Sequence, residues 1–174
     1  MLSEDVNESD HIKGDPEALV TLVEYGDYEC PHCARAHPIV KRIEKRFSKQ
    51  LRFVFRNFPL KQMHPMAEPA AETAEFAATQ GKFWQMHDAI FENQKLLSPE
   101  FLFELATQLE LSPDDLRAAL QEETFAARVR HDFVAGVRSG VNGTPTFFVN
   151  GERLDTAWEY DDLVAAVEGA IQSA

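Results

Sequence analysis

Apolar and polar positions alternate along the chain with two different periods, and the change between them marks its elements. Ala18 to Tyr25 is an almost unbroken apolar run rich in β-branched residues, which predicts a strand buried on both faces and ending at Gly26-Asp27. Farther on, Ala36, Ile39, Val40, Ile43 and Phe47 recur at helical spacing opposite Lys41, Arg42, Glu44, Lys45 and Arg46, as in an amphipathic helix. Pro31 suits the first turn of that helix, where an amide hydrogen has no partner, and Pro38 inside it is expected to kink it. Leu51 to Phe58 reads as a second strand, with Leu51, Phe53 and Phe55 alternating against Arg52, Val54 and Arg56. The opening order is therefore β-α-β.

From about Met66 to Gly140 the period is helical throughout. Ser98-Pro99 and Ser112-Pro113 each supply an N-cap and a first-turn proline. Phe83, Trp84, His87, Ile90 and Phe91 form one apolar stripe, Leu102, Leu105, Ala106 and Leu109 a second, and Val129, Phe133 and Val137 a third, with no internal repeat. Strand character returns at Thr146 to Val149. Asn150-Gly151 then predicts a tight hairpin leading into Glu152-Arg153-Leu154, and a last helix follows with Leu163, Val164, Val167 and Ile171 on its inner face.

The 174 residues suit a compact domain carrying an insertion, and 44% hydrophobic and 26% charged residues with eight Gly and nine Pro exclude disordered, collagen-like and disulfide-stapled classes. A formal charge of -12 repels phosphate backbones and anionic lipid, so nucleic acid is not an expected partner. Membrane insertion is not expected either, since no run of eighteen apolar residues occurs. The first ten residues lack the basic start and apolar stretch of a secretory signal. The chain as written is thus expected in the cytoplasm, and in the periplasm or cell envelope if it is the mature form of a longer precursor.

The only cysteines are Cys30 and Cys33, in Cys30-Pro31-His32-Cys33 between the first strand and the first helix. With this motif, the Gly143-Thr144-Pro145 turn before the third strand, and the helical block between them, the stretch from Asp15 to Ala174 resembles the thioredoxin fold of the DsbA-like disulfide oxidoreductases. The resemblance implies an α/β, thioredoxin-like fold with an inserted helical subdomain. Residues 1–14 would be a tail, 15–65 and 141–174 the thioredoxin-like domain, and 66–140 the insertion.

Elementary chemistry fits that reading. Residues three apart in a helix's first turn have α-carbons about 5 to 6 Å apart, near the span of a disulfide, so the bond forms and breaks with little backbone movement. Cys30 at the helix N-terminus faces the positive end of the dipole, which favours thiolate over thiol, and His32 adds a donor or a positive charge. Cys33, one turn deeper and away from the free amides, is expected to stay protonated until it attacks as the resolving thiol. Glu29 and Asp27 add negative charge that disfavours a second anion, so the outer pKa is expected at about 4 to 6 and the potential between those of thioredoxin and DsbA, nearer the oxidant.

Glu24 stands in an otherwise apolar strand, so it either points to an edge or titrates with a raised pKa. The resemblance implies that it exchanges a proton with the inner cysteine. It also implies that Pro145 follows a cis bond and that backbone groups of Thr144 pair with an extended substrate strand. Thr144 departs from the valine of the DsbA prototype, which bears on substrate preference.

The expected cofactor is none beyond the Cys30–Cys33 disulfide, and no metal is expected. The expected partners are thiol- or disulfide-containing proteins and a redox protein that recycles the pair. The alternative is a noncatalytic zinc-binding or client-holding module using the same cysteines. His37 shares a helical face with them, but a fourth ligand is not evident. His87 reads as a core residue, His64 as part of the loop entering the helical block, and His11 and His131 carry no signal.

Overall fold

The computed structural model describes residues 1–174. The chain divides into two units, one of residues 1–26, 35–56 and 134–174, the other of residues 27–34 and 57–133.

The first unit holds a five-stranded sheet in the order β1-β3-β2-β4-β5, made of β1 (His11–Gly14), β2 (Val20–Gly26), β3 (Leu51–Asn57), β4 (Thr146–Val149) and β5 (Glu152–Arg153). β2 is central, and Val20, Leu22, Val23 and Tyr25 are fully buried, as its apolar run requires. β4 lies antiparallel to β2, Glu24 opposite Phe147 and Tyr25 opposite Thr146. Asn150 and Gly151 both take positive φ, 49° and 86°, which is the geometry of the hairpin turn their sequence predicts. Gly26 closes β2 where a side chain has no room: a Cβ there would lie 2.5 Å from the Phe55 ring and 3.1 Å from Glu24 Oε1.

α1 (Pro31–Arg46) runs without interruption through Pro38 and buries Ala36, Val40 and Ile43. Its outer face is tied to α7 (Tyr160–Ser173): Arg35 pairs with Glu159 just ahead of that helix at 2.6 Å, Arg46 pairs with Glu168 at 3.1 Å, and the Arg42 guanidinium lies 3.7 Å from the Tyr160 ring centre. α7 packs on β2 and β4 through Leu163 and Val167.

Two elements of this unit depart from the apolar pattern. β3 is buried on both faces beyond Arg52, although its alternation predicts one polar face. The reason is Arg56, only 3% exposed, whose guanidinium donates to Asp10 at 2.8 and 2.9 Å, to the Tyr25 hydroxyl at 3.0 Å and to the carbonyls of Glu4 and Asp5. Apart from Tyr25 on β2, those partners come from the first ten residues, to which the sequence assigns no element, and the next four form β1, paired antiparallel to β3.

The second unit is built from α2 (Ala67–Ala78), α3 (Phe83–Glu92), α4 (Pro99–Gln108), α5 (Pro113–Gln121) and the start of α6 (Ala126–Arg138). Ser98 Oγ accepts from the Phe101 amide and Ser112 Oγ from the Asp115 amide, both at 3.1 Å, so both sequence-assigned caps form. α6 is rotated from its expected face. Val137 is 52% exposed, while Val129, Asp132 and Ala135 are buried, as is Ser139 just past the helix end. The pattern hides this face because a carboxylate and a hydroxyl belong to it. Asp132 earns its place by accepting from the backbone and side-chain amides of Asn57, at 2.9 and 3.0 Å, and by pairing with Arg128.

Candidate active site

The structure brings Cys30, Pro31, His32 and Cys33 together at the start of α1, within the helical unit. Both cysteines are buried, Cys30 4% and Cys33 0% exposed. Pro31 brings no amide hydrogen, and the amides of Cys33 and Ala34 both donate to the Cys30 carbonyl at 3.1 Å. Cys30 stands at the N-terminal end of α1, where the positive end of the helix dipole favours an anion. Cys33 is less isolated from amides than its place in the helix implies, since its sulfur accepts from the Asp27 amide at 3.5 Å.

The residues ahead of α1 are fastened by one buried carboxylate. Asp27 is 1% exposed; its Oδ1 accepts from the amides of Glu29 at 2.8 Å and Cys30 at 3.2 Å, while Oδ2 accepts from the Leu60 amide at 2.9 Å and meets His64 Nδ1 at 2.8 Å. Glu29 accepts from the Met66 amide. On another side, Gln94 Nε2 donates to the carbonyls of Tyr28 at 2.9 Å and Cys30 at 2.8 Å, and the Tyr28 hydroxyl meets His87 Nδ1 at 2.9 Å among Phe83, Trp84 and Phe91. His87 is thus a satisfied core residue. Sequence reasoning misses Gln94, and it reads Asp27 only as a nearby negative charge and His64 only as part of a loop. An Asp accepting from amides two and three residues on is the usual geometry of an Asx turn, which is a readable signal for Asp27. His64 and Gln94 have none.

Glu24, Thr144 and Pro145 belong to the sheet unit. Glu24 is 2% exposed on central β2, which settles that it does not point to a solvated edge. The Thr144-Pro145 bond is cis, and Thr146 Oγ1 closes the loop by donating to the Gly143 carbonyl at 2.7 Å. Beside Pro145 a shallow depression is lined by Phe147, Leu154 and Trp158.

A family model described as thioredoxin matches residues 6–169. Among solved structures, BdbD from Bacillus subtilis in its oxidised form aligns with a TM-score of 0.86 at 28% identity, covering 95% of this chain and 94% of that one. A thioredoxin-like oxidoreductase from Silicibacter pomeroyi DSS-3 aligns at 0.82 and 27%, covering 97% and 95%. Wolbachia pipientis α-DsbA1, at 0.83 and 19% identity over 97% and 96%, shares the fold. In sequence, a Na+/H+ antiporter NhaA of Salinispora tropica is 44% identical over 165 residues, which is 95% of this chain and 25% of the relative. The chain spans about a quarter of the length of the curated relatives it matches, so the transport name describes proteins of which this stretch is a minor part. No helix of the chain is long and apolar enough to cross a membrane.

Proposed function

The chain belongs to the thioredoxin family, and from that premise we propose that it is a thiol-disulfide oxidoreductase that acts on protein substrates and more readily oxidises than reduces them. The observation that carries the reading is the placement of Cys30 immediately ahead of α1 and Cys33 within its first turn, in a segment held from several sides. In the oxidising direction a substrate thiolate attacks Cys30 Sγ of the Cys30–Cys33 disulfide. The Cys30–Cys33 bond breaks, and Cys33 leaves with the electron pair and takes up a proton. A second substrate thiolate then attacks the substrate sulfur of the mixed disulfide and expels the Cys30 thiolate, so the substrate loses two electrons and the cysteine pair gains them. A disulfide-bearing redox partner restores the pair. Pro31 and His32 shape the helix start and favour the Cys30 anion. Glu24 and Thr144-Pro145 keep the roles the resemblance implies, proton exchange with the inner thiol and pairing with an extended substrate strand. Ion transport is no part of the proposal.

Trapping tests the division of labour. Cys33→Ser is expected to accumulate mixed disulfides through Cys30 with a thiol-labelled peptide or a reduced, unfolded protein, and Cys30→Ser is not. Equal trapping by both variants would show that the nucleophile is misassigned.

A further inference from the structure

A thiolate at Cys30 would form near two carboxylates, Asp27 and Glu29, and like charges oppose one another. The loop between β3 and α2 brings one basic side chain to this cluster. His64, 17% exposed, meets Asp27 Oδ2 through Nδ1 at 2.8 Å, and Asp27 holds the Cys30 amide through its other oxygen. Met66, two residues on, holds Glu29 through its amide. Burial opposes the protonated ring, but the hydrogen bond and charge of Asp27, followed by the charges of Cys30 and Glu29, outweigh it and hold the His64 pKa above that of an ordinary histidine. Asp27, Cys30 and Glu29 are the groups whose charges raise it.

We propose that His64 is a positioning residue for the thiol chemistry: clamped by Asp27, its imidazolium offsets the neighbouring carboxylates and stabilises the Cys30 thiolate, making the cysteine pair more oxidising when His64 is protonated. This rests on the reading of Cys30 as the redox nucleophile. The coupling is reciprocal, so a thiolate at Cys30 must strengthen proton binding at His64 by the factor with which the imidazolium strengthens the thiolate. Oxidation to the disulfide removes the anion and with it this coupling.

The test is an NMR titration of the His64 ring in the full chain, reduced and oxidised. The His64 pKa is expected to be higher in the reduced protein by about 0.5 unit, a shift scaled down from that of a buried pair because the ring is partly exposed. Equal values in the two forms overturn the proposal. A second measurement follows the Cys30 thiolate by its ultraviolet absorbance in His64→Asn, which keeps a donor toward Asp27 and loses the charge, and in His64→Lys, which keeps the charge. The thiolate is expected to form about threefold less readily in the Asn variant, with recovery in the Lys variant. An unchanged titration in His64→Asn would mean that the residue is only a structural latch. Neither readout needs a substrate. If the His64 shift is present but the cysteines do not exchange with glutathione, the proposed function fails and the coupling stands; if exchange is intact without the shift, only the coupling fails.

Discussion

Buried carboxylates meet their desolvation cost in different ways in this protein, and the differences have measurable consequences. Asp27 is surrounded by three amides and an imidazole. Asp132 has Asn57 and Arg128, yet burial still raises its pKa above the ordinary carboxylate range against the lowering by Arg128 and the Asn57 amide. Glu72 has the least compensation. Its Oε1 is buried without a hydrogen-bond partner, and burial, followed by the charges of Glu68 and Glu123, pushes its pKa up to about 7 from 4.5. Between those values the folded chain holds a proton that the unfolded chain has released, so stability falls as pH rises through that window and the penalty is complete above it. Glu72→Gln removes the charge and keeps the shape. It is expected to stabilise the protein by about 1–3 kcal/mol near pH 8, with the gain fading as pH falls toward the unfolded value. Urea unfolding at both ends of the range measures this, and a gain independent of pH would rule out titration of Glu72 as its source.

Whole elements are also placed by single charged groups. The guanidinium of Arg56 is nearly inaccessible near the end of β3, and burying it is tolerable because Asp10, the Tyr25 hydroxyl and two backbone carbonyls reach it. This ion pair joins hydrogen bonds from Leu2 and Ser3 in holding the N-terminal segment, and β1 takes its place at the sheet edge immediately after Asp10. Asp10→Ala leaves the buried guanidinium without its carboxylate, with only the Tyr25 hydroxyl and two carbonyls as acceptors, and is expected to cost about 3–5 kcal/mol, whereas replacing both partners, Asp10→Leu with Arg56→Met, is expected to cost much less. Equilibrium unfolding of the single and double variants checks it; equal losses would mean that the pair is not what holds the segment. The helix starts at Ser98 and Ser112 are more local, each needing only a serine and a proline in sequence.

For the molecule as a whole, redox potential and folding stability are one quantity seen from two sides. A disulfide that oxidises others readily belongs to a protein whose reduced form is the more stable. Under the proposed function the reduced chain is expected to unfold at higher urea than the oxidised chain at neutral pH, by about 1–4 kcal/mol. Equilibration with glutathione is expected to give a potential between about -270 and -120 mV, nearer the upper value. A potential at or below about -270 mV, or a more stable oxidised form, would make the protein a reductant.

The order of strands and helices from β2 onward, the cap serines, the Asn150-Gly151 turn and the Cys30-Pro31-His32-Cys33 motif were legible along the chain, while β1 lay in what read as a tail. Each depends on residues within a turn or a few positions of one another, and local geometry does not wait for the rest of the fold. The inner face of α6, the burial of Arg56 and the environment of Cys30 were not. Arg56 meets an acid 46 residues away and His64 one 37 residues away, and no local period records which charge will find which when both leave water. An Asp or a His in a loop looks the same in sequence whether it faces solvent or a buried partner. Only the packed chain, by removing water and leaving each buried polar group with the partners it can reach, turned Asp27 and His64 into parts of the site.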